Sequence, residues 1–209
     1  QHVLNGKIPF LKFFLKQELI RVPIMGQAWW ALDFPFMKRF SKSYLEKHPE
    51  MKGKDIETTQ NACKKFKYIP TSVMNFFEGT RFTPEKHAKQ QSPYKHLLNP
   101  KSGGFAFALN AMGDKFQSLL DCTIVYPEGN PSFADFMHGK IPKIIVRIRE
   151  VPIPADFCQG DYENDAKFKH QFQSWVSDIW QEKDKEIDRL YKQECLIKDD
   201  QTQVGHLNY

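Results

Sequence analysis

The sequence predicts an α/β fold: a single layered domain with a mixed, largely parallel sheet flanked by helices, plus a long C-terminal amphipathic helix. Three observations carry that expectation. Short apolar runs alternate with helix-compatible segments as far as Glu150, the pattern of strands joined by helices. Apolar residues then recur at three- and four-residue steps from Phe168 to Tyr191, the mark of a helix with one buried stripe. Finally, 209 residues of which 41% are hydrophobic and 14% aromatic suffice for one core, and nothing in the composition divides them.

Taken in order, periodicity and punctuation predict a strand over 12–15, a short helix over 26–31 and a strand over 34–38. A polar helix over 55–66 and a strand over 72–77 follow. Residues 82–100 read as a long irregular loop, the kind that is usually functional or mobile. Gly103-Gly104 and the run Phe105-Ala106-Phe107-Ala108-Leu109 open a helix over 103–112. Strands over 122–126 and 143–150 come next, and the closing helix spans 165–196. Its stripe holds Phe168, Phe172, Trp175, Val176, Ile179, Trp180, Ile187, Leu190 and Tyr191. The domain is expected to cover 1–200, with 201–209 as a disordered tail.

Net charge is +5, unevenly spread. Between Lys7 and Lys42 seven basic residues face two acidic ones, and between Arg81 and Lys101 five basic residues face Glu85. Such a surface suits anionic headgroups, coenzyme A phosphates or an acyl carrier, and it also suits nucleic acid. The aromatic residues of the first forty positions sit within apolar runs, which favours core packing over base stacking. Four irregularly spaced cysteines show no Cys-x-x-Cys and no zinc spacing, so free thiols in a reducing, cytosol-facing compartment and no metal are expected. No run approaches the ~20 apolar residues that span a bilayer.

The most informative stretch is Val73-Met74-Asn75-Phe76-Phe77-Glu78-Gly79-Thr80-Arg81, an apolar strand running into Glu-Gly-Thr-Arg. Arginine's planar fork can orient a phosphate as well as attract it. Gly79 permits a tight turn and close ligand approach, and Thr80 adds a hydroxyl. Glu78 is expected to fix the Arg81 rotamer or to accept a ligand hydroxyl. Lys101 precedes Gly103-Gly104, where a helix N-terminus would offer amide donors to an anion. Against this stands the plain alternative of a turn closed by a surface ion pair.

The stretch resembles the lysophospholipid acyltransferase family, which includes 1-acyl-glycerol-3-phosphate and lysocardiolipin acyltransferases. Phe36-Met37-Lys38-Arg39 looks like the family's block of two apolar residues, a charged residue and arginine. Phe77-Glu78-Gly79-Thr80-Arg81 is similar to its Pro-Glu-Gly-Thr-Arg block, with phenylalanine for proline. Lys101-Ser102-Gly103-Gly104 resembles the lysine-glycine segment downstream, and Thr123-Ile124-Val125-Tyr126-Pro127 the later apolar block. The resemblance runs from Phe10 to Pro127 and is nearest to the bacterial branch. It implies a phosphate clamp of Glu78, Gly79, Thr80 and Arg81 aided by Lys38, Arg39 and Lys101, although Lys38 and Arg39 read equally well as solvated surface charges.

One departure is plain. The family's catalytic His-x-x-x-x-Asp has no match at His2, His48, His87, His96, His138, His170 or His206. Gln1 opens in a segment that reads as the interior of a domain, so the catalytic pair and any membrane anchor are expected upstream, and this chain alone is expected to be inactive.

The resemblance implies transfer of a fatty acyl group from acyl-coenzyme A or acyl carrier protein, as co-substrate rather than cofactor, to a lysophospholipid or glycerol-phosphate hydroxyl. The implied place is the cytoplasmic face of a bacterial inner membrane, without a nucleic-acid partner. A catalytically silent lipid-phosphate-binding relative and a basic nucleic-acid-binding domain are the alternatives.

Overall fold

The computed structural model describes residues 6–37, 44, 47–48, 54–63, 66, 68, 70–112, 115–116, 118–129, 131–162 and 164–206. The chain forms two compact units: residues 1–77, 101–117 and 154–172 in the first, and 78–100, 118–153 and 173–209 in the second.

In the first unit, β1 (Leu11–Phe13) pairs in parallel with β4 (Ser72–Met74), in the register Leu11↔Ser72 to Phe13↔Met74. One residue further on, β2 (Leu15–Lys16) pairs in parallel with β3 (Phe36–Met37). A 3-10 turn, Gln17–Arg21, leads to α1 (Met25–Ala31). Gly26 is required at this corner, because a Cβ there would lie 2.2 Å from the carbonyl oxygen of Ile20. α2 (Lys54–Cys63) and α4 (Gly103–Met112) complete the framework.

The run Phe105 to Leu109 is buried throughout, as an all-round apolar helix demands. Phe105 meets Phe77 at 4.9 Å and Phe172 at 5.7 Å between ring centroids, and the Phe157 and Tyr162 rings stand edge-on to Phe172. Lys12 is buried to 6% exposure. Its ammonium lies 4.9 Å from the centre of the Phe66 ring and donates to the Asp33 carbonyl at 3.3 Å, so aromatic face and carbonyl offset part of the lost hydration.

In the second unit, β5 (Ser118–Val125) and β6 (Ile145–Pro152) form an antiparallel ladder in the register Ser118↔Pro152 to Val125↔Ile145. α3 (Pro84–Gln90) and α5 (Phe133–Met137) are short helices. The long helix α6 (Ala166–His206) gives Phe172 to the first unit, and Val176, Ile179, Trp180, Ile187 and Leu190 are buried in the second.

Several expectations change. Among the described residues the strands form two parallel pairs and one antiparallel pair, and one largely parallel sheet is not what they show. Residues 82–100 are not wholly irregular, because α3 starts there on a Thr83 cap whose side chain accepts the Lys86 N–H, with Pro84 at the first helical position. β4 ends at Met74 rather than at residue 77. β5 begins at Ser118 rather than residue 122, since Asp121 is neutralised from outside the strand. α6 runs on to His206 rather than ending at residue 196.

Candidate functional site

Past the end of β4 the chain continues through Phe77 into a turn at Gly79, whose φ of 65° lies in the left-handed region that favours glycine. That conformation separates the two charged side chains of the motif. Glu78 is half-buried and one of its oxygens accepts the Leu98 backbone N–H at 3.4 Å. Burial raises its pKa above the ordinary carboxylate value, with the Leu98 N–H and the Lys183 charge opposing. No hydrogen bond joins Glu78 to Arg81 among the described residues. The expectation that Glu78 fixes the Arg81 rotamer is therefore corrected: the turn sends the carboxylate inward and the guanidinium outward.

Arg81 is exposed, and its guanidinium takes no hydrogen bond or ion pair among the described residues. A second cation stands beside it. Lys86, on the first turn of α3, donates from Nζ to the Thr80 hydroxyl at 2.9 Å and to the Arg81 carbonyl at 3.1 Å. The turn is thus closed on the α3 side by a lysine, and the Thr80 hydroxyl keeps its proton to donate. Sequence reasoning counted Lys86 in the basic loop without placing it in the site. The signal that could have found it was Thr83-Pro84-Glu85, a cap, an N1 proline and an acidic first turn.

Of the other expected site residues, Lys101 belongs to the first unit, where it is exposed and its backbone N–H donates to the Phe77 carbonyl at 2.6 Å. Ser102, at the start of α4, is buried and its hydroxyl lies 2.8 Å from that of Tyr162. Lys38 and Arg39 lie outside the described residues. No helix among the described residues is long and apolar enough to cross a membrane.

An arginine left open beside a glycine turn, with a lysine bridging the same turn, is suited in charge and geometry to an anion, but that is not by itself a function. Residues 3–133 match the family described as Acyltransferase. This chain belongs to the acyltransferase family. Phe36-Met37-Lys38-Arg39, Glu78 to Arg81 and Lys101 all lie within the match, whereas β6 and α6 lie beyond it.

Among individual acyltransferases, the chain is 28% identical over 208 residues to 1-acyl-sn-glycerol-3-phosphate acyltransferase gamma of Mus musculus, covering 94% of this chain and 50% of that protein. It is 26% identical over 192 residues to 1-acyl-sn-glycerol-3-phosphate acyltransferase delta of Homo sapiens, covering 87% and 46%. The chain therefore spans about half the length of the curated relatives it matches. These relatives are mammalian, and they give no support to the bacterial affiliation expected from the sequence. No solved structure matches the chain.

Proposed function

We propose that this acyltransferase moves a fatty acyl group from a thioester, acyl-coenzyme A or acyl carrier protein, to the free hydroxyl of a lysophospholipid or glycerol-phosphate acceptor in phospholipid synthesis or remodelling. The observation that carries the reading is the open guanidinium of Arg81 on the Gly79 turn, inside the stretch that matches the family. An unpaired arginine exchanges only water when an anion arrives, and its fork accepts two phosphate oxygens at once.

In the reaction the acceptor oxygen attacks the thioester carbon. Its proton passes to a general base, the carbon–sulfur bond breaks, and the thiol leaves. Arg81 holds the acceptor's phosphate so that the hydroxyl meets the thioester in one orientation, which lowers the entropic part of the barrier. Thr80 supplies a hydroxyl donor to the same phosphate. Lys86 keeps the turn closed, and the family pattern adds Lys38, Arg39 and Lys101 to the acceptor-binding set. The base is assigned to none of the seven histidines of this chain.

We place the reaction at the cytoplasmic face of a membrane. α1 and the residue before it leave Ile24, Met25 and Trp30 exposed, with Arg21 nearby in the chain, a combination suited to an anionic lipid interface. As for the fold, β1 and β2 are separated by Phe14 alone and pair with different partners. We read the run over 11–16 as one strand between β3 and β4, the centre of a parallel sheet.

The reading is tested in the intact protein with lysophosphatidate and acyl-coenzyme A. Arg81→Ala is expected to raise the acceptor KM by about tenfold or more, the loss of one charge-assisted contact, and to leave the thioester KM within about twofold. Equal effects on both substrates, or none, contradict it.

A further inference from the structure

The segment from Lys95 to Leu98 lies along one face of α6. Asp184 accepts the backbone N–H groups of Lys95 and His96, at 2.8 and 2.7 Å. One turn further along, Asp188 takes the Lys95 ammonium and the His96 Nε2. One turn before, Trp180 donates its indole N–H to the Leu98 carbonyl at 2.9 Å. Residues 180, 184 and 188 are spaced by four and so share one helix face.

Leu98 is fully buried, so both of its backbone polar groups require partners. Trp180 satisfies the carbonyl, and Glu78 satisfies the N–H. One residue therefore joins the helix to the first residue of the candidate phosphate turn. Lys183 reinforces the link, with its ammonium 5.6 Å from the Trp180 ring centre and its charge acting on Glu78. The Trp180 and Asp184 positions lie beyond residues 3–133, outside the part of the chain that matches the acyltransferase family.

We infer that Trp180 and Asp184 of α6 are positioning residues for acceptor binding: they hold Leu98 where its N–H anchors Glu78, and so set the direction in which the Gly79 turn presents Arg81. The inference rests on the reading of Arg81 as the phosphate ligand. Neither residue needs to touch substrate.

The test uses the intact protein, lysophosphatidate and acyl-coenzyme A. Trp180→Phe keeps an aromatic side chain but removes the pyrrole part of the indole with its donor, so it leaves a buried carbonyl unsatisfied and loses some packing. The acceptor KM is expected to rise about five- to tenfold while the thioester KM stays within about twofold. Asp184→Asn is expected to shift the acceptor KM in the same direction and carries the test if the tryptophan variant does not fold. A purely structural role would lower the thermal midpoint and kcat without separating the two KM values, and that result overturns the inference.

Lys143→Ala, which removes an ion pair to Glu194 further along the same helix, is expected to leave both KM values unchanged. Reproduction of the split by that variant also overturns the inference. The double variant Trp180→Phe/Arg81→Ala separates the two ideas. If Trp180 acts through Arg81, its acceptor KM is no higher than that of Arg81→Ala alone, whereas multiplied effects mean independent action and sink the inference while Arg81 keeps its role. If Arg81→Ala itself fails to discriminate between the substrates, the phosphate reading falls and this inference falls with it.

Discussion

Lys183 places its ammonium 2.6 Å from the Asp121 carboxylate, with the two side chains only 11% and 8% exposed. Arg149 meets the other carboxylate oxygen at 3.0 Å, and Lys183 also donates to the Cys122 carbonyl at 2.7 Å. β5, β6 and α6 are thereby tied at one point by a charge cluster rather than by apolar packing. Removing one partner of a buried pair leaves an uncompensated charge, so Lys183→Met is expected to cost about 3 kcal/mol, the low end for such a loss because Arg149 remains. Denaturant unfolding measures it, and a cost below about 1 kcal/mol would show that the cluster is hydrated.

Gly160 carries a steric requirement. A Cβ there would lie 1.9 Å from the Phe168 ring, while the Gly160 carbonyl accepts from Asn110 at 3.1 Å. Because Phe168 packs edge-on against Phe157, its ring has little room to yield. Gly160→Ala is expected to destabilise by about 2 kcal/mol through overpacking. A thermal midpoint equal to that of the unsubstituted protein would contradict this packing.

At Gly79 the constraint is conformational. With φ at 65°, an alanine there costs about 1–2 kcal/mol of backbone strain. Gly79→Ala is expected to raise the lysophosphatidate KM more than the thioester KM, because the strain falls on the turn that carries Arg81. Equal shifts in both would place the turn away from the acceptor.

Glu78 gives a pH dependence of definite sign. Burial raises its pKa above the ordinary carboxylate value, so the folded state holds this proton more tightly than the unfolded chain does. Its contribution to stability is complete below the ordinary carboxylate value and is lost as pH rises through the folded value. Glu78→Gln keeps an oxygen for the Leu98 N–H and removes the titration. Unfolding measured from about pH 4 to pH 7 is expected to show a flatter decline for the variant than for the unsubstituted protein. Parallel curves would mean that the carboxyl is solvated.

The parts of the fold that were legible in the sequence are those with local signals. The helix over 103–112 was predicted at its observed bounds, because two glycines precede a run of alanine, leucine and phenylalanine with no breaker inside it. The strand over 12–15, the helix over 26–31 and the start of the closing helix fall close to where they were placed. α3 replaces part of the loop expected over 82–100, and its local signal is the cap, proline and acidic first turn of Thr83-Pro84-Glu85. The early part of β5 was missed for a long-range reason: Asp121 looks like a strand breaker until a lysine 62 residues away neutralises it.

Sequence by itself determined the family, the alternation of strands with helices and the presence of an arginine on a glycine turn, all of which depend on residue type and short spacing. Tertiary structure decided what those residues do to one another. The left-handed backbone at Gly79 turns Glu78 away from Arg81, and a tryptophan contributed by the closing helix secures the segment on which Glu78 rests. The second of these pairings, Trp180 with Leu98, joins positions some eighty residues apart in the chain, and the first, Glu78 with Leu98, only twenty. They arise only when buried backbone groups find partners, and no local pattern encodes which partners those will be.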